Sequence, residues 1–223
     1  MRSSPQGLAE QLRARKRVQD SAFDAVYPAD IRRVSSQYWT PVDVALTAAQ
    51  WLATRRCSRV LDIGAGPGKF CIVAGLALGR TLTGIEQRTH LVEIGRAAAA
   101  RYGASVDYVH GTIEALDASG FDAWYMYNPF GENLYDPAKQ LDEEVELSAL
   151  RYMHDLTIVE HWLDAAPADT HLITFHGFGG RIPTHYRLLR EVRKRDGHLR
   201  LWHKTRGGRS DRAILESDVR LAR

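Results

Sequence analysis

The stretch Arg59–Phe70, with the sequence RVLDIGAGPGKF, decides the fold. Val60, Leu61 and Ile63 are apolar and partly β-branched, which predicts a short buried strand. Three glycines and a proline follow and predict a sharp turn, and the apolar run over residues 70–78 predicts a helix. Glycine suits positions where a ligand approaches the backbone or where φ is positive. The stretch therefore predicts a strand, a turn built to hold a ligand, and a helix.

The spacing of the glycines bears on the kind of ligand. A dinucleotide-binding turn has the pattern Gly-x-Gly-x-x-Gly, with a pyrophosphate at the helix N-terminus. Here the glycines stand at Gly64, Gly66 and Gly68, and Asp62 precedes them. A carboxylate beside the turn repels a pyrophosphate and suits a ligand that carries a cationic amine. The pattern thus disfavours an oxidoreductase of the NAD type, which stays open as an alternative.

This Asp-x-Gly-x-Gly-x-Gly pattern resembles the first motif of the class I S-adenosylmethionine-dependent methyltransferases. The resemblance implies that S-adenosyl-L-methionine is the cofactor, that S-adenosyl-L-homocysteine is the product, and that the turn holds the methionine and ribose part of the cofactor. The residues implied to bind it in this stretch are Asp62, Gly64, Ala65, Gly66 and Gly68.

A second acidic residue, Glu86, ends the next predicted strand, which covers residues 81–85. A carboxylate at the end of the second strand can accept both ribose hydroxyls, whichever cofactor is bound. We therefore expect Glu86, with the adjacent Gln87, to contact the cofactor. At the end of the third predicted strand, the resemblance implies that Gly111 and Thr112 contact the adenine ring.

The fourth predicted strand, residues 121–127, is aromatic and runs into Asn128, Pro129 and Phe130. This sequence resembles the Asn-Pro-Pro-Tyr or Phe motif of the amino-group methyltransferases. The resemblance implies a catalytic role for all three residues. In the role that the resemblance implies, Asn128 and the Pro129 carbonyl accept hydrogen bonds from the target amine beside the cofactor, and the Phe130 ring stacks on the group that carries this amine.

The motif in this chain has one proline where the nucleic-acid enzymes have two. A protein or small-molecule amine is therefore favoured as the methyl acceptor, and an RNA or DNA base stays possible. Three further residues are predicted to face the substrate, namely Glu132, Asn133 and His176. A cationic lysine acceptor would also need a base, for which His176 and Tyr127 are candidates. An ordinary Asn-Pro turn without function is the alternative interpretation.

The whole chain is predicted to be an α/β protein with a doubly wound, mostly parallel seven-stranded sheet. This fold, which the resemblance implies, has helices on both faces and a C-terminal antiparallel hairpin. Residues 1–39 are expected to form a helical or irregular N-terminal extension, and residues 40–223 the methyltransferase domain. Outside the motifs, periodicity predicts helices over residues 8–18, 41–52, 89–101, 142–164 and 186–195, an irregular aromatic segment over 23–39, and last strands at 199–202 and 213–215.

Composition adds limits to these predictions. The 223 residues carry a formal net charge of +3, and 44% of them are hydrophobic. There is no apolar run of membrane-spanning length and no signal-type segment, which predicts a cytoplasmic protein without a membrane partner. Cys57 and Cys71 are expected to be reduced thiols, and no metal site is predicted. The oligomeric state and a non-catalytic cofactor-binding role stay open.

Overall fold

The computed structural model describes residues 4–206 and the backbone of residues 214–215. The chain divides into two compact units. The first unit comprises Met1–Cys57 and Ala65–Gly111, and the second comprises Ser58–Gly64 and Thr112–Arg223. None of the described helices combines the length and the apolar character that a membrane span requires.

The helices of the first unit are α1 (Pro5–Arg13), α2 (Asp20–Phe23), α3 (Ala29–Tyr38), α4 (Val42–Thr54), α5 (Lys69–Leu78) and α6 (Thr89–Tyr102), and its strands are β2 (Leu82–Glu86) and β3 (Val106–His110). The second unit contains β1 (Val60–Ile63), β4 (Ala123–Tyr127), α7 (Ala149–Ala165), β5 (His171–Phe175), β6 (Arg181–Ile182), β7 (Tyr186–Lys194), β8 (Gly197–Lys204) and β9 (Ile214–Leu215).

Seven strands form one sheet in the order β3-β2-β1-β4-β5-β8-β7. The pairs β2–β3, β1–β4 and β4–β5 are parallel, while β5–β8 and β7–β8 are antiparallel. The predicted fold class is confirmed, including the C-terminal antiparallel hairpin and the helical N-terminal region. In a sheet of this kind, ligands bind at the carboxyl ends of the parallel strands.

Helix α5 is the central helix of the first unit. It follows the glycine turn, and all of its residues from Lys69 to Ala77 are buried. A helix that is apolar on every side is stable only when it is enclosed, and α1 and α4 both pack against it. Gly79, with a φ of 66°, ends the helix in the left-handed conformation that a β-carbon disfavours.

The N-terminal region is more regular than its sequence predicts. Residues 29–38 form helix α3 and not an irregular segment, and the predicted basic helix ends at Arg13. The start of α4 has no local side-chain cap, because its N-cap residue is Pro41. The amide of Val42 donates instead to Asp20 Oδ1 at 2.9 Å, so a residue distant in sequence satisfies the helix end.

The acidic segment that begins at Asp142 precedes helix α7 and does not form its first turn. The helix is capped by Ser148, whose Oγ accepts a hydrogen bond from the amide of Arg151 at 3.1 Å. Serine at this position satisfies one of the free amides of the first turn. The prediction that the acidic residues start the helix was therefore wrong by seven residues at this end.

Residues 186–195 were predicted to be a basic helix, and that prediction was wrong because they form β7 and the turn after it. Leu188 pairs with Trp202 and Arg190 pairs with Leu201, so Leu189 is an extra residue in a β-bulge. The bulge puts Arg187 and Arg190 on the same face of the strand although they are three apart. Residues three apart also share a face of a helix, so this spacing led to the wrong prediction of a helix.

The predicted final hairpin also has different strands. The strand predicted at 199–202 lies within β8, but its partner is β7 and not the segment at 213–215. Ile214 and Leu215 pair instead with Arg181 and Ile182 in a separate two-stranded sheet, and Ala213 lies outside the described residues. Asp196 and Gly197, a common turn dipeptide, lie at the connection between β7 and β8 and were the sequence signal for the hairpin.

The C-terminus of α7 depends on one buried lysine. Lys204 Nζ donates to the carbonyl of Leu163 at 2.8 Å and to that of Asp164 at 2.7 Å. These carbonyls lie in the last turn of the helix, where intrahelical donors are absent. A cation at a helix C-terminus also interacts favourably with the helix dipole.

We expect Lys204→Met to lower the free energy of unfolding by about 1 to 3 kcal/mol, because two buried carbonyls lose their donor. For a chain of this length the melting temperature should fall by roughly 2 to 4 °C per kcal/mol. Thermal denaturation followed by circular dichroism measures this, with the exposed Lys16→Met as the control. Equal melting temperatures for the two variants would contradict the role given to Lys204.

Candidate functional site

The glycine turn of the first unit is packed so tightly that side chains do not fit. Gly66 has a φ of 54°, and a β-carbon on it would lie 2.6 Å from the Trp39 ring. Gly68 has a φ of 74°, and its β-carbon would overlap the Tyr108 hydroxyl. Both the backbone angles and the neighbouring rings therefore require glycine.

Glu86, at the end of β2, holds this turn in place. Its Oε2 accepts a hydrogen bond from the Gly66 amide at 2.9 Å, and its Oε1 accepts one from the Arg88 amide at 2.9 Å. Burial raises the pKa of the Glu86 carboxyl above its usual value, and the hydrogen bonds from the Arg88 and Gly66 amides oppose that rise. One carboxylate thus connects the end of β2 to the middle of the turn.

Backbone hydrogen bonds fix the remaining candidates near Glu86. The Ala65 amide donates to the Ile85 carbonyl, and the Gly111 amide donates to the Glu86 carbonyl, both at 2.9 Å. The carbonyl of Gln87 lies 3.1 Å from His110 Nε2. In the first unit, direct hydrogen bonds therefore join Glu86 to Gly66 and to Gly111, while Ala65 is bonded to Ile85, the residue before Glu86.

Two N-terminal aromatic residues, Tyr27 and Trp39, contact the turn. Tyr27 is buried, and its hydroxyl donates to the Pro67 carbonyl at 3.2 Å. Trp39 lies against Gly66 and donates from its ring nitrogen to the Ile31 carbonyl at 3.2 Å. The aromatic composition of residues 23–39 was the available signal, but it does not specify which backbone atoms these rings reach.

In the second unit, the first glycine of the turn lies against the Asn-Pro-Phe motif. Gly64 has a φ of 73°, and a β-carbon on it would lie 2.8 Å from Pro129 Cβ. Asp62 precedes it in β1, is 3% exposed, and is in register with Tyr125 of β4. Strands β1 and β4 thus bring together Asp62, Gly64 and the motif that follows β4.

Asn128 is held in an unusual conformation for a residue other than glycine, with a φ of 40°. Its amide donates to the Gly177 carbonyl at 2.9 Å, and its carbonyl accepts from the Gly131 amide at 3.2 Å. The side chain lies over Gly131, where a β-carbon would overlap it. Asn128 Oδ1 is buried and accepts no hydrogen bond from any residue in the described part of the chain.

The residues after Pro129 mainly organise their own segment. Phe130 is only 6% exposed, so its ring lies in the interior. Asn133 Nδ2 donates to the Phe130 carbonyl at 3.1 Å, and Asn133 Oδ1 accepts from the Ser148 amide at 3.3 Å. Glu132 Oε1 accepts from the Leu141 amide at 2.6 Å. These bonds give Glu132 and Asn133 a structural role, and their contact with substrate stays a prediction.

His176 follows β5 and is also buried, with a φ of 59°. Its Nε2 lies 3.3 Å from Asp196 Oδ1, and its ring centroid lies 5.5 Å from that of Tyr127. Thr112 is positioned differently, because its hydroxyl donates to Glu114 Oε2 at 3.0 Å. The second unit therefore groups Asn128, His176 and Tyr127 through neighbouring strand ends, while Thr112 contacts its own local turn.

The comparisons with known proteins concern the fold of the chain. A family model described as a methyltransferase domain matches residues 60–145, and no curated protein sequence matches the chain. An RNA methyltransferase from Salinibacter ruber, solved in complex with S-adenosyl-L-homocysteine, is a similar structure. It is 19% identical with a TM-score of 0.54, and the match covers 77% of this chain and 97% of that chain.

Two other solved structures share the fold. A putative O-methyltransferase from Klebsiella pneumoniae is 13% identical with a TM-score of 0.56, covering 89% of this chain and 90% of that chain. A mutant of MtNAS in complex with S-adenosylmethionine is 16% identical with a TM-score of 0.51, covering 89% and 74%. The chain therefore has the fold of these solved methyltransferase structures, and its residues 60–145 match the model of a methyltransferase domain.

Proposed function

We propose that this protein is an S-adenosylmethionine-dependent methyltransferase whose acceptor is an amine nitrogen of a protein or small molecule. The observation that carries the proposal is the contact between Gly64 and Pro129, beside which Asn128 Oδ1 is buried with no donor in the described residues. A buried acceptor without a donor is costly, and a substrate amine would supply the missing hydrogen bond.

The glycine turn fits the cofactor. Two solved structures with this fold contain S-adenosyl-L-homocysteine or S-adenosylmethionine, as described above. In this chain, the negative charge of Asp62 suits the cofactor's ammonium group. The Glu86 carboxylate offers about four acceptor sites, and the hydrogen bonds from the Gly66, Arg88 and Gln87 amides leave capacity for a ribose hydroxyl.

The other proposed cofactor contacts are backbone groups or neighbours of these two acids. They are Gly64, Ala65, Gly66, Gly68, Gln87, Gly111, Thr112 and Asn128. Glycines at the turn allow the cofactor to approach main-chain atoms directly. The turn is itself kept rigid by Glu86 and the packed rings, so it needs little ordering when a ligand binds.

In the proposed mechanism the bound cofactor supplies an electrophilic methyl group on a sulfonium. Asn128 Oδ1 and the Pro129 carbonyl accept hydrogen bonds from the acceptor amine and point its lone pair at that carbon. When bound, S-adenosylmethionine would supply a methyl carbon that the amine nitrogen displaces from sulfur, with the electron pair of the broken carbon–sulfur bond kept by sulfur and one proton lost from the amine. Positioning supplies most of the rate, and no covalent enzyme intermediate is needed.

A cationic acceptor such as lysine must lose a proton before it reacts. His176 fits this role best among the candidates, because its Nε2 contacts Asp196 and its ring is fixed against Tyr127. A carboxylate partner orients an imidazole and stabilises its protonated form. Phe130, Glu132 and Asn133 would then shape the acceptor side from the segment that follows Asn128.

A nucleobase is the second candidate acceptor, and one observation favours it. Arg187 and Arg190 are exposed on one face of β7, which is an edge strand of the sheet. Arginines in such an arrangement can neutralise phosphates, and binding of that kind weakens steeply with salt. Methyl acceptance by RNA that is lost in the Arg187→Ser/Arg190→Ser variant would favour the nucleic acid.

We expect the protein to bind S-adenosyl-L-homocysteine, as measured by isothermal titration calorimetry, and not NADH. Asp62→Ala and Glu86→Ala should each weaken binding by about 1 to 3 kcal/mol, roughly 5- to 150-fold in Kd, because each removes charged acceptors. Asp107→Ala, which changes an exposed aspartate of β3, serves as the matched control. Binding of NADH in place of S-adenosyl-L-homocysteine would exclude the proposed activity.

Asn128→Gly should separate catalysis from cofactor binding, since glycine tolerates the positive φ while losing the side chain. We expect the Kd for S-adenosyl-L-homocysteine to stay within about threefold. Methyl transfer should fall by roughly 100-fold or more, the usual loss for one positioned hydrogen-bonding group. The assay uses methyl-labelled S-adenosylmethionine with basic peptides, RNA and small amines. Undiminished transfer by the variant would remove Asn128 from the catalytic role.

A further inference from the structure

Lys69 is the first residue of α5 and follows the last glycine of the turn, yet its side chain is only 2% exposed. Its Nζ lies 2.8 Å from Asp20 Oδ1 and 2.8 Å from Asp24 Oδ1. It also lies 3.2 Å from Ser35 Oγ and 5.8 Å from the centre of the Phe23 ring. A lysine beside a glycine turn is often assigned to a ligand, but this ammonium group is occupied by protein groups.

The partners of Lys69 belong to three different N-terminal elements. Ser35 in α3 donates to Asp24 Oδ2 at 2.7 Å, so the serine joins both the lysine and the aspartate. Asp20 Oδ1 also accepts the Val42 amide at the start of α4. The single charge of Lys69 therefore ties residues 20–42 to the junction between the glycine turn and α5.

The same N-terminal residues contact the turn itself. Tyr27 reaches the Pro67 carbonyl, Trp39 covers Gly66, and Lys69 comes two residues after Pro67. We name residues 20–42 the N-terminal strap. The strap contacts Gly66 and Pro67, which are consecutive residues of the turn. Displacement of the strap would therefore remove packing and a hydrogen bond from the backbone that we propose binds the cofactor.

We propose that Lys69 is a positioning residue for the cofactor, acting through the strap and not by contact with the cofactor. This inference rests on the proposed function. The buried ammonium attracts Asp20 and Asp24 in a site shielded from water, where the loss of one partner leaves uncompensated buried charge. The strap in turn keeps Trp39 and Tyr27 on the turn, which holds it in the shape that binds the cofactor.

Lys69→Met tests the inference, and Lys204→Met is the matched control because it removes another buried lysine that caps α7. Both variants should lose thermal stability. Only Lys69→Met should raise the Kd for S-adenosyl-L-homocysteine, by about tenfold if a tenth of the folded molecules keep the binding conformation. Asp24→Asn is a milder change that retains Asp20, and it should raise the Kd by about threefold. This variant tests the inference even if Lys69→Met folds poorly.

Amide hydrogen exchange supplies a readout that does not depend on the ligand. The amides of Gly66 and Gly68 are bonded to Glu86 Oε2 and to the Ala65 carbonyl. They should exchange faster in Lys69→Met and in Asp24→Asn than in the wild type, and not faster in Lys204→Met. The role of Lys69 would be overturned if the Gly66 and Gly68 amides exchanged at the wild-type rate in both Lys69→Met and Asp24→Asn. It would also be overturned if the wild type bound S-adenosyl-L-homocysteine and Lys69→Met had a Kd within twofold of the wild-type value. A wild type that fails to bind would contradict the proposed function alone.

Discussion

The positive φ angles of the glycine turn are the constraint on which the rest of the site depends. Gly64 and Gly66 both have a positive φ, which favours glycine. A β-carbon would also collide with Pro129 at Gly64 and with Trp39 at Gly66. The two neighbours belong to different segments, Pro129 to the Asn-Pro-Phe motif and Trp39 to the N-terminal strap. A side chain at Gly64 or Gly66 would collide with these neighbours. The Pro129 and Trp39 rings therefore pack directly on the backbone of the turn, with little room for adjustment.

Glu86 is a buried carboxylate that holds the glycine turn through hydrogen bonds. Its carboxylate is buried, which disfavours the charged form, yet it receives hydrogen bonds from the Gly66 and Arg88 amides. Charge-assisted hydrogen bonds of this kind are stronger than neutral ones and offset part of the cost of burial. A group fixed in this way can present its remaining acceptor sites to a ligand without first losing side-chain freedom.

The sequence predicted the strands that local residue patterns specify. It did not predict the features that depend on residues distant along the chain. The strands at Val60–Ile63 and Leu82–Glu86 were predicted correctly because short apolar runs and glycines mark them locally. The helix predicted at 186–195 was wrong because a bulge at Leu189 changed the alternation of an exposed strand. Lys69 was visible as a charged residue at the start of an apolar helix, but its aspartate partners lie in a segment that sequence patterns leave unassigned.

The sequence Asn-Pro-Phe-Gly holds Asn128 in a defined conformation. Gly131 leaves space for the Asn128 side chain to lie over the backbone. The amide of Gly131 also donates to the Asn128 carbonyl, and the Gly177 carbonyl accepts the Asn128 amide. The strained φ of Asn128 is therefore maintained by hydrogen bonds on both sides, as expected where a polar atom must be held in one direction. The Asn128 side chain is thereby held where its Oδ1 is buried and accepts no hydrogen bond from any described residue.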